Sequence, residues 1–256
     1  MRTTVTNKSI FAIEGITKSF NQQKVLDDIS LTFTRGKSTV IIGPSGCGKT
    51  VLLKHLIGLI NPDEGKVFFN DTRVDTLPQR KIMEMRQRCG FLFQSSALFD
   101  SETIFENIAF PMRQKGSYSS NEIRNIVNER LKMVNLPDIG EKYPAELSGG
   151  QQKRAALARA IALSPEVILY DEPTTGLDPI RSDIINDLVI KLQSQLDITS
   201  IVVTHDMKSA FKIADHLVML NNGTIVTQGT TEEIKKSKHP IVQEFIYGKN
   251  PKSTNP

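Results

Sequence analysis

The sequence predicts an α/β protein, an open and mostly parallel sheet flanked by helices, with a helical lobe inserted into it. Two observations carry that expectation. The runs STVIIG ending at Gly43, CGFLFQ ending at Gln94, EVILYDEP ending at Pro173 and TSIVVTHD ending at Asp206 are apolar without alternation, as strands covered on both faces should be. Each leads through a polar turn into a helix-like pattern, and repeated strand, loop and helix units place a ligand at the C-terminal strand ends. The second observation is a change of pattern between about Phe99 and Leu163, where strand-like runs vanish.

The elements follow in order. The opening 40 residues and the segment from His216 to Gln228 offer shorter alternating strands. From Asn121 onward Ile123, Ile126, Val127, Leu131 and Val134 recur at helical spacing, after a loop KGSYSS whose serines can cap the helix. An Ala-rich helix is expected from Gln151 to Ala162, and a small closing helix from Pro240 to Tyr247. These patterns divide a domain of residues 9–248 into a core of about 9–95 and 164–236 and a helical lobe of about 96–163, with a short tail at 249–256. No internal repeat is visible.

Composition excludes several classes. A chain of 256 residues with 39% hydrophobic and 23% charged residues buries a sizeable core and is neither disordered nor fibrous. The net charge of +4 is spread along the chain, which argues against nucleic acid as a partner. Local basic concentrations occur only at Lys235, Lys236 and Lys238 and at Lys249 and Lys252, where a solvated helix end and tail are expected, with contact to anionic lipid as the lesser reading. Two cysteines, Cys47 and Cys89, are too few for a disulfide framework and fit a reducing compartment. The most apolar run, Val51 to Ile60, is half the length of a membrane span and is interrupted by Lys54 and His55. A cytoplasmic location is therefore expected.

Gly43-Pro44-Ser45-Gly46-Cys47-Gly48-Lys49-Thr50 matches GxxxxGK[ST] between a buried strand and a helix, the context a phosphate loop requires. Glycines let successive N–H groups converge on phosphate oxygens, and the helix start adds partial positive charge. Lys49 is placed to reach the β- and γ-phosphates and Thr50 to ligate Mg²⁺. ATP is expected over GTP because no NKxD-like guanine-reading element is present. Asp171 and Glu172 close the strand VILY; the first can hold Mg²⁺ through its water shell, the second can orient or deprotonate the attacking water. Leu147-Ser148-Gly149-Gly150-Gln151 opens the helix QKRAALARAIA, a Ser-capped, glycine-flanked start whose N–H donors can face an anion.

The order of that phosphate loop, Gln94, LSGGQ, the acidic pair, Asp178 and His205 resembles an ABC transporter nucleotide-binding subunit over about Phe11 to Gly248. The resemblance implies a P-loop NTPase (RecA-like) core with an ABC-type antiparallel β subdomain and an inserted α-helical subdomain. It implies a head-to-tail pair of copies with ATP between the Walker A of one and the LSGGQ of the other, so that Ser148, Gly149, Gly150 and Gln151 act in trans. It also implies that Gln94 approaches Mg²⁺, that His205 donates to the γ-phosphate and that Asp178 lies at the dimer interface. Phe20 in TKSF is expected either to stack on adenine or to pack in a half-buried strand.

Gln94-Ser95-Ser96-Ala97-Leu98-Phe99-Asp100 and Ile104 to Pro111 resemble the ATPase of MCE-type lipid transporters, the Mla phospholipid system among them. So do Thr204-His205-Asp206 with Ser209-Ala210-Phe211, and Pro240 to Phe245. That likeness implies a membrane permease, an MCE-domain lipid-binding protein and a STAS-domain accessory protein as partners, at the cytoplasmic face of the inner membrane. Ser95 to Arg113 is the stretch where such subunits dock a permease, so Leu98, Phe99 and Phe105 are expected either to dock it or to pack the lobe. Gln151 departs from the Met that many members of the lipid group carry. A polar-solute importer and a soluble ABC ATPase are the alternatives.

Overall fold

The computed structural model describes residues 9–248; Lys249, Lys252 and the tail 249–256 lie outside the described residues. In chain order the elements are β1 (Ser9–Phe20), β2 (Gln23–Thr34), β3 (Ser38–Ile42), α1 (Lys49–Leu56), β4 (Glu64–Phe69), β5 (Thr72–Arg73) and α2 (Gln79–Arg86). Then come β6 (Cys89–Leu92), α3 (Ile104–Lys115), α4 (Ser120–Met133), a 3-10 turn (Pro144–Glu146) and α5 (Gly149–Ala160). The chain closes with β7 (Val167–Asp171), α6 (Pro179–Leu196), β8 (Thr199–Thr204), α7 (Met207–Ile213), β9 (His216–Asn221), β10 (Thr224–Gly229), α8 (Thr231–Lys236) and α9 (Pro240–Tyr247). These divide into two compact units, residues 9–82 with 201–248 and residues 83–200.

In the first unit, β2, β1, β4 and β5 form an antiparallel sheet in that order. β1 and β2 have 12 residues each, longer than their broken alternation suggested, because bulges interrupt the pattern without ending the pairing. One lies between Ile13 and Ile16. There Gly15 takes φ +58, and its N–H donates to Ser30 Oγ at 2.9 Å, the left-handed bulge position that glycine fills at least cost. β3 pairs in parallel with β9, from Thr39 with His216 to Ile42 with Met219, and β9 turns back into β10 through Asn222-Gly223. Both turn residues have positive φ, the two-residue hairpin that an Asn-Gly pair favours. Val40, Ile41, Ile42 and Leu217 to Leu220 are fully buried, each contributing roughly 1.5–3 kcal/mol over an exposed position.

The second unit holds the parallel pair β6 and β7, in register from Cys89 with Val167 to Leu92 with Tyr170. Gly90 in β6 admits α5 closely, since an added Cβ would lie 2.6 Å from Ala160 O. Alanines 155, 156 and 158 of α5 are buried beside Leu157, and small side chains allow that approach. α4 begins after Ser119, the last residue but one of KGSYSS, whose side chain and Glu122 make a reciprocal capping box. α5 starts two residues before the expected Gln151, because Ser148 caps it from outside and Gly149 is already helical. α9 spans the expected Pro240–Tyr247. No helix among the described residues is long and apolar enough to cross a membrane.

Candidate functional site

The first unit carries the candidate phosphate loop, residues 43–50. β3 is buried along its whole length and delivers the chain to Gly43, where no side chain fits: an added Cβ would stand 2.0 Å from Leu220 O and 2.8 Å from Cys47 Sγ. Gly48 ends the loop at φ +105 as the N-cap of α1 and supplies no side-chain cap. The first N–H groups of α1 are therefore not claimed by a capping side chain, and the helix start retains its partial positive charge. From α3 to α8, by contrast, every helix opens on a capping side chain, namely Thr103, Ser119, Ser148, Asp178, Asp206 and Thr230. Lys49 folds back over the loop, its Nζ donating to Gly43 O at 2.8 Å and Pro44 O at 3.0 Å. Pro44, Ser45 and Gly46 are the exposed rim, Cys47 is buried and Thr50 half-buried. Beside Gly46 the space is open, with nothing within 4 Å of an added Cβ. A glycine cradle, an uncapped helix start and a lysine are the parts from which an anion site can be built.

His205 is exposed between two anchored neighbours of the same unit. Thr204 is fully buried and accepts from Asp206 N through Oγ1, while Asp206 caps α7. Phe20 stands at the tip of the β1–β2 hairpin, 42% exposed, with Lys18 Nζ 5.5 Å from its ring centroid. Its face is thus presented to solvent instead of being packed in the core.

The acids lie in the second unit. Asp171 ends β7 and, like Glu172, is buried. Glu172 has φ +49, a left-handed conformation that costs a non-glycine residue about 1–3 kcal/mol. Thr175 holds the turn, donating from its N to Glu172 O at 3.2 Å and from Oγ1 to Glu172 Oε2 at 3.3 Å. Gln94 is exposed in the loop after β6. Ser148 Oγ accepts from Gln151 N at 3.4 Å and Gln151 Oε1 accepts from Ser148 N at 2.9 Å. Gln151 thereby supplies the second half of a capping box that a thioether cannot make. Asp178 is the N-cap of α6, accepting from Ile180 N and Arg181 N at 3.0 Å each and pairing with the Arg181 guanidinium at 3.2 Å. Its carboxyl is held below the usual aspartate range, first by the Arg181 N–H bond. An added Cβ at Gly150 would lie 3.5 Å from the Arg181 side chain, so the starts of α5 and α6 meet.

Sequence reasoning missed two residues here. Lys153 on α5 is buried, and its ammonium donates to Gln94 O. Burial pulls its pKa below the usual lysine range, and the negative charges of Asp171 and Glu172 oppose that pull. Arg159, also on α5, donates to Ala97 O at 2.7 Å and Ser96 O at 2.9 Å. The available signal was the cations Lys153, Arg154 and Arg159 among the alanines of QKRAALARA, since a cation on a buried helix face requires an acceptor. Beside Arg159 opens an apolar groove of about 620 Å³, lined by Cys89, Phe91, Phe93, Phe99 and Phe110 among others. Phe99 and Phe110 meet edge to face at 4.9 Å. Of the three residues with two expected roles, Phe99 lines this groove; Leu98 and Phe105 are half-buried and do not line it.

Thr50 in the first unit, and Gln94 and Asp171 in the second, each carry a side-chain oxygen, the kind of ligand that Mg²⁺ takes.

A family model described as ABC transporter matches residues 26–175. The chain belongs to the ABC transporter family. It is 39% identical over 244 residues to the intermembrane phospholipid transport system ATP-binding protein MlaF of Haemophilus influenzae, covering 95% of this chain and 92% of that one. It is 40% identical over 237 residues to the "Probable ribonucleotide transport ATP-binding protein mkl" of Mycobacterium tuberculosis, covering 93% of this chain and 66% of that protein's length. Among solved structures, cbiO1 from Clostridium perfringens, part of the ABC transporter complex cbiONQ, superposes with a TM-score of 0.83 at 29% identity, covering 90% of this chain and 92% of that one. A dimeric ATP-binding cassette, MJ0796, bound to ADP and Pi, superposes with a TM-score of 0.80 at 32% identity, covering 86% and 98%. The fold is that of an ABC ATP-binding cassette.

Proposed function

We propose that this ABC cassette is the ATP-hydrolysing subunit of a transporter that moves phospholipid or another lipid between inner and outer membranes. The observation that carries the reading is the uncapped, glycine-built start of α1 under Lys49, in a chain that matches 92% of the length of a relative named for intermembrane phospholipid transport. Two copies would work head to tail, each lending Ser148, Gly149, Gly150 and Gln151 to ATP held at the partner's Walker A. The helical lobe, about 96–163, would carry that signature and meet a permease from the cytoplasmic face of the inner membrane.

The loop 43–50 would bind the triphosphate, with Lys49 exchanging the carbonyls of Gly43 and Pro44 for β- and γ-phosphate oxygens and Phe20 stacking on adenine. Thr50, Asp171 and Gln94 would hold Mg²⁺, which when bound neutralises charge on the β- and γ-phosphates. Glu172 would orient the attacking water and take its proton as the water oxygen bonds to the γ-phosphorus and the bond to the ADP oxygen breaks. His205 would donate to the γ-phosphate, and Asp178 would lie at the dimer interface.

Glu172→Gln is the direct test: it should retain ATP binding and lower turnover by about 100-fold or more, the scale of a lost general base. Turnover at the wild-type rate would remove Glu172 from this role. The name borne by the mycobacterial relative supports a second reading, transport of a polar nucleotide-like solute. Affinity purification from detergent-solubilised membranes separates the two. A permease with a membrane-anchored MCE protein supports lipid; a solute-binding protein in its place supports the second reading.

A further inference from the structure

The loop after β6 is bound to α5 by two cations at three carbonyls. Lys153 Nζ donates to Gln94 O; Arg159 donates to Ser96 O at 2.9 Å and Ala97 O at 2.7 Å. Charge-assisted bonds of this kind are about twice as strong as neutral ones. Their targets need holding, because Ser96 and Ala97 are consecutive non-glycine residues at φ +66 and +48, a conformation that L-residues rarely keep without support. α5 also carries the signature at its N-terminus, with Ser148 and Gly149 exposed. At its other end Arg159 lines the aromatic groove, its guanidinium 5.8 Å from the Phe99 ring centroid.

We propose that Lys153 and Arg159 are positioning residues that fasten the backbone of Gln94 to Ala97 onto α5, so that the loop, the groove wall and the Ser148–Gly150 tip move as one body. The inference rests on the roles proposed above for Gln94 and the signature. A displacement at the groove then reaches the phosphate-facing tip through one helix instead of being absorbed by a loop. The chemistry of the site is left to other residues: neither cation needs to touch nucleotide.

The test uses the full chain with Lys153→Met, Arg159→Gln and the conservative Lys153→Arg. Amide hydrogen exchange, read by mass spectrometry, should accelerate about tenfold in peptides covering 94–99 of the first two variants, with peptides covering 43–50 unchanged. With Mg-ATP the same two variants should lose about tenfold in kcat while KM stays within about twofold, and Lys153→Arg should recover most of the loss. Wild-type exchange across 94–99 in both Lys153→Met and Arg159→Gln would overturn the proposal. If Lys153→Met does not fold, Arg159→Gln is read by the same comparison, and wild-type exchange there has the same force. Glu172→Gln assayed alongside separates the two failures. Its wild-type turnover would discard the site reading, whereas the exchange result needs no hydrolysis and judges the clamp alone.

Discussion

The starts of α1 and α5 are both glycine-rich, both follow a sharp turn and both are read as facing phosphate, yet they are built in opposite ways. α1 has no capping side chain and its glycines are sterically obligatory: Gly43 is pressed against Leu220 O and Gly48 sits at φ +105. α5 is complete by itself, with Ser148 and Gln151 capping each other's backbone, and Gly149 has room for a side chain, its nearest neighbour being Leu177 Cδ2 at 3.9 Å from an added Cβ. The difference suits a site whose anion stays with its own chain and a surface that must be stable before a partner brings one. A glycine the fold does not need, on an exposed helix tip, points to a demand from outside the chain.

The comparison is broken most severely at Lys49. Lys49→Ala should lower both ATP binding and turnover by about 100-fold or more, on the scale of losing an electrostatic clamp. It should also abolish the thermal stabilisation by ATP, worth about 2.7 kcal/mol at a ligand concentration 100 times Kd. Calorimetric scans with and without nucleotide measure the second quantity. Next in size are the glycines. Gly43→Ala should cost about 1–3 kcal/mol in urea unfolding, the usual range for overpacking. Gly149→Ala should leave stability unchanged or raise it by up to about 1 kcal/mol while still slowing ATP turnover. Should Gly149→Ala unfold the chain as Gly43→Ala does, the contrast between the two helix starts fails.

Ser148→Ala removes one capping bond and should cost about 1 kcal/mol, seen as a lower urea midpoint without nucleotide. ATP binding by the isolated chain should be unaffected, since the loop at 43–50 does not involve this residue. The smallest effect concerns His55, in the last turn of α1. Burial holds its imidazole below the ordinary 6.5, with the Val51 carbonyl opposing at 2.8 Å from Nδ1. The unfolded chain therefore takes up the proton first, so this contribution is present above pH 6.5 and is lost as pH falls below it. Urea midpoints at about pH 7.5 and pH 5.5 should differ less in His55→Gln than in the wild type.

Much of this was legible locally. Uninterrupted apolar runs marked β3, β6, β7 and β8, and the serines of KGSYSS and Ser148 announced α4 and α5 because caps act within four residues of themselves. The paired strands β1 and β2 were underestimated, since a bulge shifts the alternation by one residue and breaks the period of two on which the reading relies. The Asn222-Gly223 hairpin turn was a readable signal that passed unused. Phe99 was singled out, but its edge contact with Phe110 and their shared groove depend on how α3 and the preceding loop fold together. The hydrogen bonds of Lys153 and Arg159 to loop carbonyls had no counterpart in any periodicity.

The residues alone determined the family, and they marked the GxxxxGK[ST] loop, the two acids and the serine-glycine helix start as candidates, because each is a short motif recorded within a few positions. Only the tertiary structure decided that Gly43 is crowded by Leu220, that Gln94 is anchored by a lysine from another helix and that Phe20 faces solvent. The first two are contacts between segments far apart in the chain and the third is the lack of core packing around a hairpin tip; packing chooses each outcome and no local pattern records it.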